Sequence, residues 1–220
     1  MTTRATFRSH LRQVLANETV WPDTQLNIWI AEGIQDYSMN FTRRVEDTIA
    51  CVDAQREYSL ASFTGIQGVL AVEYPEGQSP PRYLYPRPET SDLFYGNPVY
   101  DVRGQPPVTL VLGETPEAGE DIGFAYLADH TLPTGDSSAL TIPDAHLEAL
   151  KLYVEWQAIK ALELDESIQS DAKDLMLSSL GLNAIRAERL YRQRLDEYRK
   201  LKAPGGYTGS WPMDKNDRIY

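Results

Sequence analysis

Along these 220 residues the period at which apolar side chains recur changes twice, which confines the chain to a helical framework interrupted by β structure. The clearest helical stretch is residues 21–41. Trp21-Pro22-Asp23 reads as an entry turn in which Asp23 caps the first amides and places negative charge at the favourable helix end. Leu26, Ile30, Ile34, Tyr37 and Phe41 then recur at helical spacing and stack on one side, with Trp29 beside them. Phe7, Leu11, Val14 and Leu15 follow the same rule, so residues 3–17 form a first short helix, and the two helices make an antiparallel hairpin.

The texture then changes. Residues 48–142 contain most of the chain's 14 prolines and short β-rich runs at 68–74, 82–85, 99–103, 108–112 and 122–127. Alternation is visible as Val108, Leu110 and Leu112, and again as Ile122, Phe124 and Tyr126. The intervening GETPEAGED is long and acidic, so it reads as a projecting hairpin loop.

Helical spacing returns at Pro143, which suits a first turn, followed by negative charge at Asp144. Leu147, Leu150, Val154, Ala158, Ala161 and Leu162 outline a buried stripe, with Trp156 part of the same core. A second long helix is expected from about Ser167 to Lys202. Ala172, Leu175, Met176, Leu180, Ala187, Leu190, Tyr191, Leu195 and Tyr198 lie on its inner side, and Gly181 is a candidate bend. Ala203-Pro204-Gly205-Gly206 ends it. The polar segment that follows carries Tyr207, Trp211 and Tyr220, aromatic residues of the kind that anchor interfaces, and reads as a docking arm.

The expected fold is therefore α+β, an antiparallel helical bundle with an inserted antiparallel β-rich domain and an extended C-terminal arm. Its parts are 1–47 (helical hairpin), 48–142 (β-rich insertion), 143–202 (C-terminal helical part) and 203–220 (arm). The bundle core is expected to hold Leu26, Trp29, Ile30, Ile34, Leu150, Val154 and Trp156.

Charge is unevenly spread. The net charge is −11, yet residues 46–150 hold 17 acidic side chains against 4 basic ones, while 186–202 is basic through Arg186, Arg189, Arg192, Arg194, Arg199, Lys200 and Lys202. A solvated surface accounts for this simply. Self-complementarity between copies, or with a partner, accounts for it more specifically. No window approaches the roughly 20 apolar residues of a membrane helix, and the amino terminus lacks the apolar run of a signal peptide. Cys51 stands alone and cannot form an internal disulfide.

Chemistry has little to attach to. Asp144, His146 and Glu148 are two apart on a helix and cannot make one metal face. No phosphate-binding loop, zinc-protease helix, nucleophile elbow or Cys-x-x-Cys pair is present, and no cofactor is expected. Glu163, Asp165 and Glu166 cluster at a helix end, where a carboxylate pair would suit glycan hydrolysis, but surface acid is the simpler reading. The arginine-rich segment lacks a nucleic-acid fold signature, and the chain's overall charge repels DNA.

Two motifs point further. Trp21, Pro22, Asp23, Leu26, Trp29, Ile30, Glu32 and Gly33, followed after the β insertion by Ile142, Pro143, Asp144, His146, Ala149, Leu150, Tyr153, Val154, Trp156 and Ala158, resemble the head-to-tail adaptor (connector, neck) proteins of tailed bacteriophages. The resemblance covers most of residues 3–202. It implies a structural virion protein that forms a ring, usually of twelve copies, beneath the portal at the genome-exit vertex. The implied partners are the portal protein, the tail or next neck protein, neighbouring copies and DNA in non-specific transit, with no membrane. On that model the helix at 167–202 and the arm, through Arg186, Arg189, Arg192, Arg194, Arg199, Tyr207, Trp211 and Tyr220, are candidates for portal or partner contact. The acidic insertion would face the tail or line the channel. Another neck or tail-completion (stopper) protein, or a cell-wall glycan hydrolase, stands as the alternative.

Overall fold

The computed structural model describes residues 2–15, 21–164 and 184–202. Two compact units result, residues 1–40 together with 131–220, and residues 41–130. The fold is α+β, with four described helices and open sheets of antiparallel and mixed pairing. Outside the described residues lie the first part of the expected last helix, with Ala172, Leu175, Met176, Leu180 and Gly181, the carboxylates Asp165 and Glu166, and the arm with Tyr207, Trp211 and Tyr220.

The helical unit begins with α1, Arg4–Leu15, which buries Phe7, Leu11 and Leu15 at four-residue spacing, while Val14 stays 37% exposed. The Thr3 hydroxyl accepts the Thr6 amide and caps the helix. The amides of Arg4 and Ala5 reach the carbonyls of Ser138 and Asp136, so the start of α1 is stitched to the segment that precedes the later helices. Helix α2, Asp23–Asn40, buries Leu26, Trp29, Ile30, Gly33, Ile34 and Tyr37. The Asp23 carboxylate, expected as a cap, meets Arg8 and Arg12 of α1 and ties the two helices together.

The helix expected at Pro143 starts with a 3-10 turn, Asp144–His146, and becomes α3 at Leu147–Leu164. Helix α4, Ala184–Lys202, packs chiefly on α3, which also contacts α2 and α1. The Glu163 carboxylate accepts the Ala184 amide and caps α4. Gly33 permits the close approach of α2 and α3, because a Cβ there would lie 2.6 Å from Leu150 Cδ1 and 2.9 Å from Tyr153 Cδ1.

The β unit holds β1 (Arg43–Ala50), β2 (Glu57–Ser59), β3 (Ile66–Glu73), β4 (Tyr85–Pro86), β5 (Val99–Arg103), β6 (Thr109–Leu112) and β7 (Asp121–Ala128). One sheet has the order β1-β7-β3 and the other β2-β6-β5-β4, with β4 and β5 parallel and the other pairs antiparallel. Residues 82–86 join them. Tyr83 bridges Glu73, and Leu84 donates its amide to Val72 at the β3 edge, after which Tyr85 and Pro86 pair with Val99 and Tyr100 of β5. The segment thus runs from the edge of the three-stranded sheet to the edge of the four-stranded one. The core of the unit collects Tyr58, Val72, Leu84, Tyr100, Leu110, Leu112, Ile122, Phe124 and Tyr126. Phe63 meets the Phe124 ring edge-on at 4.9 Å. In a separate cluster Phe94 packs on Val99 and Val111.

Three sequence expectations are corrected here. Strand β1 falls largely where helical hairpin was expected, because RRVEDTIA offers only Val45 and Ile49 to the core and remains otherwise exposed as an edge strand. Residues 108–112 and 122–127 are not two arms of a hairpin, since β6 pairs with β2 and β5 while β7 pairs with β1 and β3. The acidic segment between them instead links the two sheets. Strand β6 begins at Thr109, and Val108 is 48% exposed because the alternation there belongs to a turn that donates its amide to Arg103.

Candidate interaction surfaces

Helix α4 carries the basic residues singled out in the sequence, and its two faces differ in kind. At about 100° per residue, Ala184, Ala187, Tyr191, Leu195 and Tyr198 fall on one side, and all are buried. Leu190 falls off that stripe and is 36% exposed, which corrects its expected inner position. Two tyrosines fasten the helix. The Tyr191 hydroxyl donates to Asp36 of α2, and its ring meets Tyr153 edge-on at 5.3 Å. The Tyr198 hydroxyl donates to the Ala145 carbonyl at 3.0 Å, while its ring stacks on His146 at 4.0 Å. His146 Nδ1 in turn shares a hydrogen bond with the Tyr37 hydroxyl. Burial, reinforced by the bond to Asp36, raises the Tyr191 pKa, and burial likewise raises that of Tyr37, so both hydroxyls stay neutral.

The five arginines are not equivalent. Arg192 sits 3.4 Å from Asp36, and Arg199 donates to Asn40, so both hold α4 against α2. Arg194 pairs with Glu197 of its own helix at 2.9 Å. Arg186 and Arg189 lie on the exposed side with Gln193 and Lys200. Sequence reasoning missed Asp36, Tyr37 and Asn40 as receptors for α4. The tyrosines at 191 and 198, seven residues apart on an otherwise polar helix, were the available signal.

The proposed core residues Leu26, Trp29, Ile30, Ile34, Leu150 and Val154 are each no more than 6% exposed. Trp156 is half-buried against Ile159, Ala184 and Ala187. Glu155 of α3 is 7% exposed, and burial raises its pKa against the opposing pull of Lys151. Trp21 and Trp29 meet edge-on at 5.1 Å and line an open groove of about 400 Å³ with Pro22, Gln25, Gln157, Lys160 and Ala161. That lining supplies no carboxylate pair.

In the β unit, fourteen carboxylates face six guanidiniums over residues 41–130. Their densest gathering is where three loops of the unit meet. Backbone bonds from Glu76 to Asp121, Cys51 to Glu120 and Ala54 to Pro116 bring three loops together there. These loops carry Asp53, Glu73, Glu76, Glu114, Glu117, Glu120 and Asp121 against Arg56 and Arg82. Glu114 is paired with Arg82 at 2.9 Å, and Glu120 accepts the Tyr74 hydroxyl. Asp53, Glu117 and Asp121 are exposed.

Among the described residues there is no group of three His, Cys, Asp or Glu side chains placed to hold a metal, and no helix is long and apolar enough to cross a membrane. Glu163, a candidate for hydrolysis by sequence, has its carboxylate engaged at the start of α4. The family model described as SU10 adaptor protein matches residues 2–208, and the chain belongs to that family of phage head-to-tail adaptors. It is a family of structural virion components rather than of enzymes. No curated protein matches the sequence at a significant level.

Proposed function

We propose that this chain assembles into a ring below the portal, joins the capsid to the tail and forms part of the DNA exit channel. The match to an adaptor family over residues 2–208 carries the reading. The expected ring has twelve copies, with portal contact through the arm at 203–220 and the adjoining end of α4, and tail contact on another surface. Acidic side chains of the β unit suit a channel wall, because like charge keeps the genome from adhering to it.

The direct test is binding of the purified chain to purified portal, followed by imaging of the complex. Removal of residues 203–220 is expected to abolish co-sedimentation with portal while the helical circular-dichroism signal is retained. Undiminished binding would exclude the arm as the portal contact, and a ring absent from every neck image would exclude the adaptor role.

A further inference from the structure

A ring built from copies of net charge −11 brings like-charged chains into contact, and an orientation that opposes unlike patches lowers the electrostatic cost. Two cationic runs are available among the described residues. The first, Arg4, Arg8 and Arg12 of α1, is committed to Asp23 and Asp136 of the same chain. The second is α4, where Arg192, Arg194 and Arg199 are also committed internally.

What remains is the outward stripe of α4. Arg189, Gln193 and Lys200 are exposed and fall within about 40° of one another around the helix, over a length of about 17 Å. Arg189 and Lys200 form no ion pair among the described residues. The stripe lies opposite the tyrosine-bearing face, so it can meet another protein without undocking α4.

We infer that this stripe receives the acidic loops of the β unit of a second copy, through Asp53, Glu117 and Asp121. Charge complementarity selects that occupant: the three loops gather seven carboxylates against two guanidiniums, and these three are exposed. The two surfaces are different patches of one chain, which is the requirement for a heterologous, ring-closing interface rather than a two-fold dimer. The inference rests on the ring reading above and names the contact between its copies. Portal contact is left to the arm at 203–220 and to those residues at the end of α4 that lie outside the stripe.

The test uses the full chain without portal. Heavy-isotope and light copies are mixed at high concentration and low salt, treated with a zero-length carbodiimide, and digested for mass spectrometry. Heavy–light peptides joining Lys200 to Asp53, Glu117 or Asp121 are expected, and high salt should suppress them about tenfold. Two charge reversals then check the orientation. Arg189→Glu with Lys200→Glu should fail to self-associate in sedimentation velocity, and Asp53→Lys with Glu117→Lys and Asp121→Lys should fail likewise. An equimolar mixture of the two variants should associate, because each supplies what the other lacks. Lys200 links confined to one copy, links only to carboxylates of the helical unit, no heavy–light links, or a mixture that stays as dissociated as its parts would each overturn the inference. Portal binding by the same variants is scored separately. Intact portal binding without heavy–light links overturns this interface and leaves the adaptor reading standing, whereas links without portal binding support the interface and count against that reading.

Discussion

In the helical unit the last helix is fastened by tyrosine hydroxyls and guanidiniums, whereas the β unit closes on itself through backbone ladders around an aromatic interior. A helix satisfies its own backbone, so its neighbours must be recognised by side chains, and α4 is too polar for apolar contact alone to suffice. Strands lack that independence, and their pairing fixes geometry before side chains are counted. Substitutions should therefore act through space and backbone in the β unit, and through hydrogen bonds and charge in the helical one.

Tryptophan makes the contrast measurable. Trp21, Trp29, Trp156 and Trp211 all lie outside residues 41–130, so indole fluorescence follows the helical unit while far-ultraviolet circular dichroism also follows the strands. The largest effect is expected from Phe124→Ala, which empties the stacked and edge-on aromatic core beside Phe63 and Tyr126 and should cost about 3–5 kcal/mol. Urea unfolding should show the strand transition moving while the indole transition stays in place. If both moved together, the two units would unfold as one.

Gly113→Ala should follow, at about 3 kcal/mol, because a Cβ would lie 2.3 Å from the Phe94 carbonyl and 2.8 Å from that of Asn97, and neither can swing aside. The comparison at Gly33 is instructive. There an added methyl meets the movable side chains of Leu150 and Tyr153, so Gly33→Ala should cost only about 1 kcal/mol after the gain in helix propensity is counted. Equal losses at the two glycines, read by thermal unfolding, would remove the distinction between the units.

On the helical side, Tyr191→Phe keeps the ring against Tyr153 and removes the bond to Asp36, with an expected loss of about 1–2 kcal/mol. The indole transition alone should shift, and protease cleavage within α4 should become easier.

The smallest effect concerns Glu155. Burial raises its pKa, so the folded chain binds its proton more tightly than the unfolded chain does. The stability linked to that proton is complete below the usual glutamate range and is lost as pH rises through the raised value. Glu155→Gln, which resembles the protonated form, should thus stabilise the chain by about 1 kcal/mol at neutral pH, less the weak attraction to Lys151 at 3.8 Å. The gain should fade on acidification through the carboxylate range. A gain that persisted unchanged at low pH would mean that the charge of Glu155 carries no cost.

The helices were legible because burying one side of a helix forces its apolar residues to a 3.6 period, as Leu26, Ile30 and Ile34 do. The strands were legible where both faces or one full face are covered, as in residues 99–103, and illegible in β1, whose outer edge asks nothing apolar of Arg43, Arg44, Glu46 or Asp47. Pairing was misread at residues 108–127 because alternation reports which face is buried and says nothing of which strand lies alongside. The basic helix was legible as a charge run, yet the division of its arginines was not. That division depends on Asp36 and Asn40, 156 and 159 residues earlier in the chain than Arg192 and Arg199, a separation that no local pattern spans.

Arg43 and Ala128 face each other across β1 and β7, so the chain enters and leaves the β unit at neighbouring points about 5 Å apart. Such a gap is closed by the shortest of turns. Residues 43–128 thus form a cassette with a single doorway, which can be excised, lengthened or exchanged for another fold without re-routing the helices. An adaptor lineage can therefore remodel this part of the chain wholesale while its helical frame stays constant.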